Sequence, residues 1–496
     1  MYERPPALCS PALEDAGGSS PAQLDPKGSG REAPGRVAFD AFPNESSFPG
    51  LPIATDPERM LALFRAHLKT VPGKTIDIAG CKPFRFRCRQ GESGGRCVLQ
   101  YTLRVADPQT GQEWDQWVTG LLYADPDEAR RVAHELETGH SRTGRRRDRL
   151  TLEPVGYIPE IPMPVEVFPY DRKLVTLGAV MEGALDEVDT RLLARLGPGR
   201  WRVDEHNIEP TRYRTERGAA LKYSIQARET ETARREAVCC YLKVYRSQKG
   251  QEMWQLLRSI SDRAEDGQPY SVVTPIVYLE KLRTLAVDEA PGHALNEILA
   301  RETDPTDAVR LVAQAMAAFN QDDVPILHRE SRPGRLEDLR KTSTLLQWAC
   351  PSTRGAVQHI ARAVEDGLED AEPAPIHGDM KPDHAFVSGD RITFIDLDAA
   401  ALGDPVRDPA QFVAYITGEV RMGSAPTARL RRASEIFVEE YFRHVPASWR
   451  SRFSIHYANA LLEVATAIFR QQEPGWSSKV TQVVEKARHA LSDPLV

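Results

Sequence analysis

The stretch from Ile376 to Phe412, IHGDMKPDHAFVSGDRITFIDLDAAALGDPVRDPAQF, constrains the chain most. Two short apolar runs, Ala385 to Val387 and Ile392 to Ile395, flank the turn chemistry of Ser388-Gly389-Asp390. The pattern predicts a β-hairpin. In an antiparallel pair the residues just outside the two strands meet at the open end, with facing Cα atoms roughly 4.5–5.5 Å apart. The hairpin therefore brings Asp379, His384, Asp396 and Asp398 within reach of one site. Clustered carboxylates are costly unless a cation sits among them. An oxygen-rich set suits Mg²⁺ better than zinc.

The remaining chain is long enough to surround such a site. Its 496 residues can bury a substantial core and predict several units. The net charge of -7 does not ask for nucleic acid. Seven cysteines form no tight metal-type pair, and their odd count points to reduced thiols. Cys81, Cys88 and Cys97 read as small buried strand residues. No apolar run reaches the ~18 residues of a membrane span. The opening MYERPPALCS lacks the basic start and apolar core of a signal peptide. The expectation is a cytoplasmic protein with neither membrane nor nucleic acid as partner; its oligomeric state is not legible.

Residues 1–50 are rich in Pro, Gly, Ala and Ser and read as a disordered tail. Residues 51–180 read as an α+β unit. Asp56-Pro57 opens a helix, RCVLQYTLRV and WVTGLLY form a hairpin, and Asp125-Pro126-Asp127-Glu128 caps a second helix. The basic run from His140 to Leu150 reads as a solvated linker. Prolines between Val155 and Asp171 predict an extended strap. The hairpin-helix pattern then returns in residues 181–290, as AALKYSIQA and VCCYLKVY. Leu99-Gln100-Tyr101 matches Leu221-Lys222-Tyr223, and Leu121-Leu122-Tyr123 matches Lys243-Val244-Tyr245 at the same spacing. This is either an internal duplication, with the first unit a degenerate copy, or two hairpins sharing a common pattern. Lys243 stands inside an apolar strand and precedes a helix carrying Glu252. Pro291-Gly292 breaks the strand pattern, and residues 291–496 are mostly of helical period. A sheet-rich lobe followed by a helical lobe leaves a cleft between them.

On these residues the chain resembles the aminoglycoside phosphotransferase and choline kinase-like family. IHGDMKPDH, ITFIDLD and LGDPVRD carry the resemblance, and HGDMKPDH is close to a protein kinase catalytic loop. It covers about residues 200–420 and implies an α+β, bilobal protein kinase-like fold with a sheet-rich N-lobe and a helical C-lobe. It also implies transfer of the γ-phosphate of ATP, with Mg²⁺ or Mn²⁺, to a hydroxyl of an aminoglycoside, amino-alcohol or sugar-like acceptor. By position Asp379 would be the catalytic base and Lys381 would face the γ-phosphate. Lys243, steadied by Glu252, would hold the other phosphates. Asp396, with His384 and Asp398, would hold metal. Val287 to Ala290, including Glu289, would form the hinge that meets adenine. Gly403, Asp404 and Asp408 would cap and brace the loop. The sequence departs from the family at His384, where asparagine is usual, and no glycine-rich loop precedes Lys243. The alternative those departures raise is a pseudokinase, a nucleotide-binding or scaffolding protein without turnover.

Overall fold

The computed structural model describes residues 48–89, 95–141, 151–183, 185–264 and 268–492. The predicted tail, up to residue 47, and residues 142–150 of the basic run lie outside the described residues. The architecture is α+β, with sheets in the N-terminal half and helices in the C-terminal half, as expected.

The first unit begins with α1 (Leu51–Ala54) and α2 (Pro57–His67). The Asp56 carboxylate accepts from the Glu58 and Arg59 amides and caps α2 as predicted. Strands β1 (Asp77–Arg89), β2 (Arg96–Ala106) and β3 (Glu113–Tyr123) follow, then α3 (Pro126–Ser141), β4 (Val155–Ile158) and β5 (Met163–Val167). They form one antiparallel sheet in the order β1-β2-β3-β5-β4. The prolines from Val155 onward therefore do not hold a single strap. The chain turns between Ile158 and Met163, and β5 pairs with β3. Proline is tolerated there because the hairpin lies at the sheet edge.

The second unit repeats the order of elements. Helices α4 (Leu177–Met181) and α5 (Asp186–Leu193) precede β6 (Trp201–Arg214), β7 (Gly218–Glu229) and β8 (Arg235–Tyr245). After α6 (Lys249–Ala264) and a short β9 (Tyr270–Val272) come β10 (Pro275–Leu279) and β11 (Thr284–Val287). The sheet order is β10-β11-β8-β7-β6, the first sheet's connectivity over again. Register agrees too. Val98 lies opposite Leu121 and Ala220 opposite Lys243; Arg96 lies opposite Tyr123 and Gly218 opposite Tyr245. In each sheet a buried tyrosine reaches the helices in front of it: the Tyr101 hydroxyl donates to the Ala54 carbonyl at 2.7 Å, and the Tyr223 hydroxyl to Asp189 at 2.6 Å.

The two units are joined at the β6–β7 turn. Glu216 sits there at φ 61° and is only 5 % exposed. Arg96 and Arg172 of the first unit both bind its carboxylate, and Thr215 shares a 2.8 Å hydrogen bond with Thr119. Burial alone would raise the Glu216 carboxyl, but the two guanidiniums hold it down at about 2. The first unit also reaches the helical half, where Phe86 stacks on Trp348 and meets Phe469 edge-on.

The helical half holds β12 (His293–Ala294), α7 (Leu295–Arg301), α8 (Thr306–Phe319), α9 (Arg332–Ala349) and α10 (Arg354–Gly367). Next come β13 (Ala374–Ile376), the predicted hairpin β14 (Ala385–Ser388) and β15 (Arg391–Phe394), and β16 (Ala401–Gly403). The chain ends with α11 (Arg407–Thr417), α12 (Thr427–Arg443), α13 (Phe453–Gln471) and α14 (Trp476–Ala490). The hairpin lies in a small sheet, β12-β14-β15-β9, and β13 pairs with β16. None of the described helices is long and apolar enough to cross a membrane.

Glu216→Gln should cost about 3 kcal/mol at pH 7, because two part-buried guanidiniums lose their counter-ion. The carboxylate's contribution is fully present above pH 4.5 and is lost as pH falls toward 2. Denaturation midpoints of wild type and variant should therefore differ at neutral pH and converge in acid. A constant difference down to pH 2 would refute the pairing.

Candidate active site

Strand β8 carries Lys243 on the sheet face opposite that of Leu242 and Val244. Its ammonium crosses the cleft to the segment after β15. It donates to Asp396 Oδ1 at 2.7 Å and also to Asp398. Burial would pull this amine down, yet the facing carboxylates hold it well above its usual range. Asp396 is correspondingly held well below the usual carboxylate range, whereas burial pushes Asp398 up. Asp396 sits in the left-handed region at φ 65°, unusual for a residue with a side chain.

The turn before β14 supplies the other side. Lys381 donates to Asp379 Oδ2 at 2.6 Å, and the Lys381 side chain is 5 % exposed against 28 % for Asp379. The two buried imidazoles have distinct jobs. His377 bonds the Ile395 carbonyl at 2.8 Å through Nε2, and its Nδ1 accepts from the Asp379 amide, so it ties the two acidic segments together. His384 Nδ1 lies 2.9 Å from the Asp379 carbonyl oxygen, and a carbonyl can only accept. The proton is therefore on Nδ1. Burial lowers the imidazole to about 4 against the pull of Asp383 and Asp396, so the ring is neutral. Its Nε2 lone pair faces Asp396 Oδ2 at 3.7 Å. One ligand atom each from Asp379, His384 and Asp396 lie within 4.8 Å of one another. Asp398 Oδ1 is buried with no hydrogen-bond partner. Asp379, His384 and Asp396, two carboxylates and one neutral imidazole, make a donor set that fits a divalent cation.

Asp408 lies beneath the loop, fully buried. Its carboxylate accepts from the His377 amide at 2.7 Å, the Gly378 amide at 3.0 Å and Asn320 at 3.0 Å. It braces the loop rather than capping α11, whose first residue is Arg407. Asp404 is held low by His456 and Arg452, which overcome the opposing effect of burial, and it accepts from the Val406 amide. Gly378 adopts φ +74°, and a Cβ there would stand 2.2 Å from the Ala399 carbonyl. Only glycine lets the loop approach so closely.

The structure brings Asp379, Lys381, His384, Asp396, Asp398 and Lys243 together. It does not bring Glu252 to them. That residue is exposed in the first turn of α6 and forms no ion pair with Lys243. Lys243 is already occupied by Asp396 and Asp398. From the same turn of α6, Lys249 donates to the Asp398 carbonyl. Val287 closes β11 and is buried, and the Asp288 amide after it donates to Thr274. The Glu289 carboxylate accepts from Lys222 and Tyr241, both at 3.4 Å.

Sequence reasoning missed the basic groups around this site. Arg212 Nη1 lies 3.3 Å from Asp396, and Arg421 pairs with Asp383 at 2.6 Å. A signal was present. Pro83-Phe84-Arg85-Phe86-Arg87 repeats as Pro210-Thr211-Arg212-Tyr213-Arg214, and each copy has a register shift at its Pro-x-Arg step.

The model of the phosphotransferase enzyme family matches residues 202–444. None of the curated proteins matches the sequence. Among solved structures, a choline/ethanolamine kinase family protein from Mesorhizobium loti is 14% identical, with a TM-score of 0.38 over 54% of this chain and 85% of that one. The GDP complex of an aminoglycoside 2'-phosphotransferase-IIIa is 13% identical, with a TM-score of 0.38 over 62% of this chain and 99% of that one. An ethanolamine kinase from Plasmodium vivax is 11% identical, with a TM-score of 0.37 over 57% and 82%. Over residues 202–444, just under half of its length, the chain is thus similar to the phosphotransferase enzyme family.

Proposed function

We propose that the chain transfers the γ-phosphate of ATP to a hydroxyl of a small molecule. The observation that carries this reading is the meeting of Lys243 with Asp396 and Asp398 across the cleft, beside Asp379. A lysine from a sheet and acids from a facing loop are what phosphoryl transfer needs, because its catalysis is positioning plus charge neutralisation. Mg²⁺ or Mn²⁺, when bound by Asp396, Asp398 and His384, would neutralise phosphate oxygens. Lys243 holds the phosphates that do not react. The acceptor oxygen bonds to the γ-phosphorus as the bond from that phosphorus to the bridging oxygen breaks. ADP leaves with that electron pair, and the acceptor's proton passes to Asp379. Lys381, held against Asp379, keeps the base oriented and faces the group in transfer. Val287 to Ala290 form the adenine-side hinge through their backbone, since Glu289's carboxylate is spent on Lys222. The first unit, residues 51–180, is a degenerate copy of the lobe in residues 181–290, with Leu121 at the place of Lys243. The matching strand order and register support this.

One observation favours a second reading, nucleotide binding without turnover. Lys243 engages both acids that would hold metal. Turnover separates the two. ATP consumption should be measured with Mg²⁺ or Mn²⁺ across a panel of hydroxyl compounds. Asp379→Asn should lower kcat by about 100-fold or more with nucleotide affinity retained. Lys243→Ala should weaken nucleotide binding. Undiminished activity in Asp379→Asn would remove that residue as the base, and binding without turnover across the whole panel would leave the second reading.

His384 sets the metal preference, because imidazole nitrogen suits Mn²⁺ better than Mg²⁺. His384→Asn should shift the ratio of Mn²⁺- to Mg²⁺-supported activity toward Mg²⁺ by roughly tenfold. An unchanged ratio would place His384 outside the metal shell.

A further inference from the structure

Two edge strands aim arginines at the cleft. Arg212 and Arg214 share one face of β6, while Tyr213 between them packs on Trp117 and Phe168. Arg85 and Arg87 share one face of β1, while Phe86 packs on the helical half. The two pairs converge, because Arg87 of β1 donates to the carbonyl of Thr215, the residue after Arg214. Burial and the charges of Arg214, Arg212, Arg421 and Arg87 pull the Arg85 guanidinium down to about 10. The Arg214 charge also reaches Lys381, the partner of Asp379. The cluster thus runs from Asp396, which Arg212 touches, to Asp383, which Arg421 touches, and passes the catalytic loop between them.

Local acids do not neutralise it. Asp396 takes Lys243 and Arg212, Asp379 takes Lys381, and Asp383 takes Arg421. Arg87 donates to the Thr215 carbonyl. Neither the Arg85 nor the Arg214 guanidinium forms a hydrogen bond or ion pair with any described residue, and Arg212 Nη2 is buried with no partner. Gathering unpaired, partly buried guanidiniums is costly, and an anion that accepts from several of them offsets the cost. The planar fork of arginine matches phosphate or carboxylate oxygens. The nucleotide's phosphates already have Lys243 and the metal-binding acids. Arg214 and Arg421 instead lie on the side of Lys381 and Asp383, where the acceptor hydroxyl must come to reach Asp379. A cationic acceptor would be repelled there.

Resting on the phosphotransferase reading, we propose that Arg85, Arg214 and the free Nη2 of Arg212 bind a phosphate or carboxylate carried by the acceptor. The substrate is then an anionic hydroxyl compound, and the N-terminal unit supplies part of its site.

The test uses the full chain with Mg-ADP and matched probes: glycerol, glycerol 3-phosphate and glycerate; glucose, glucose 6-phosphate and gluconate; and ethanolamine as the cationic member. Calorimetric binding and thermal shift should detect an anionic member but not its neutral parent or ethanolamine. The bound member should then support ATP consumption. Arg85→Ala and Arg214→Ala should each weaken its binding by about 10- to 100-fold with ADP affinity unchanged, and Arg85→Lys and Arg214→Lys should recover part of it. Three results overturn the proposal: no anionic member binds; neutral or cationic members bind equally well; or the substitutions weaken ADP binding and spare the probe. The last would assign the arginines to the nucleotide. An anionic member that binds through the arginines without consuming ATP would leave the subsite standing and count against the phosphotransferase reading.

Discussion

The bridge from Lys243 to Asp396 and Asp398 is the interaction on which the rest depends. A lysine in the middle of a buried strand is unfavourable on its own. It is tolerated here because two carboxylates from the other half meet it, and those carboxylates are tolerated because the lysine meets them. The pairing fixes how the sheet and the hairpin face each other. Asp396 keeps its left-handed backbone between a buried histidine and this lysine, so the geometry of the acids follows from the same contact.

Around that bridge the loop is held from below. Asp408, fully buried, gathers two backbone amides and Asn320. His377 links the segment of Asp379 to the segment of Asp396. Such fully satisfied polar networks are rigid, because every alternative leaves a buried donor unpaired. Catalysis by positioning requires that rigidity.

The N-terminal unit does more than extend the chain. It grips the β6–β7 turn through Glu216 and Thr215 and wedges Phe86 between the helices of the other half. The turn that would cover a nucleotide's phosphates is thus anchored by charge and burial, where related chemistry commonly relies on glycine. The same unit delivers Arg85 to the cleft, so structural support and substrate recognition come from one edge strand.

The hairpin, the helix cap at Asp56, the order of sheets before helices and the clustering of the hairpin's acids were legible in the sequence, because local periodicity and turn chemistry determine them, whereas Lys243 joined those acids only through the resemblance. The shared register of the two hairpins was visible in the spacing of Tyr101, Tyr123, Tyr223 and Tyr245. Other features depended on contacts between residues far apart in the chain. Glu252 followed Lys243 at the right distance, yet helix packing turned it to solvent. Asp408 was expected to cap and brace the loop, and the partners that make it a brace, Asn320 and the loop amides, are set by the tertiary structure. The arginines of β1 and β6 carry no ligand identity in sequence, since an exposed arginine and an uncompensated one read alike. Sequence by itself determined which local elements form and which chemistry their residues can perform. The tertiary structure decided which charges meet a partner and which are left facing the cleft, because charge compensation is a property of three-dimensional neighbours.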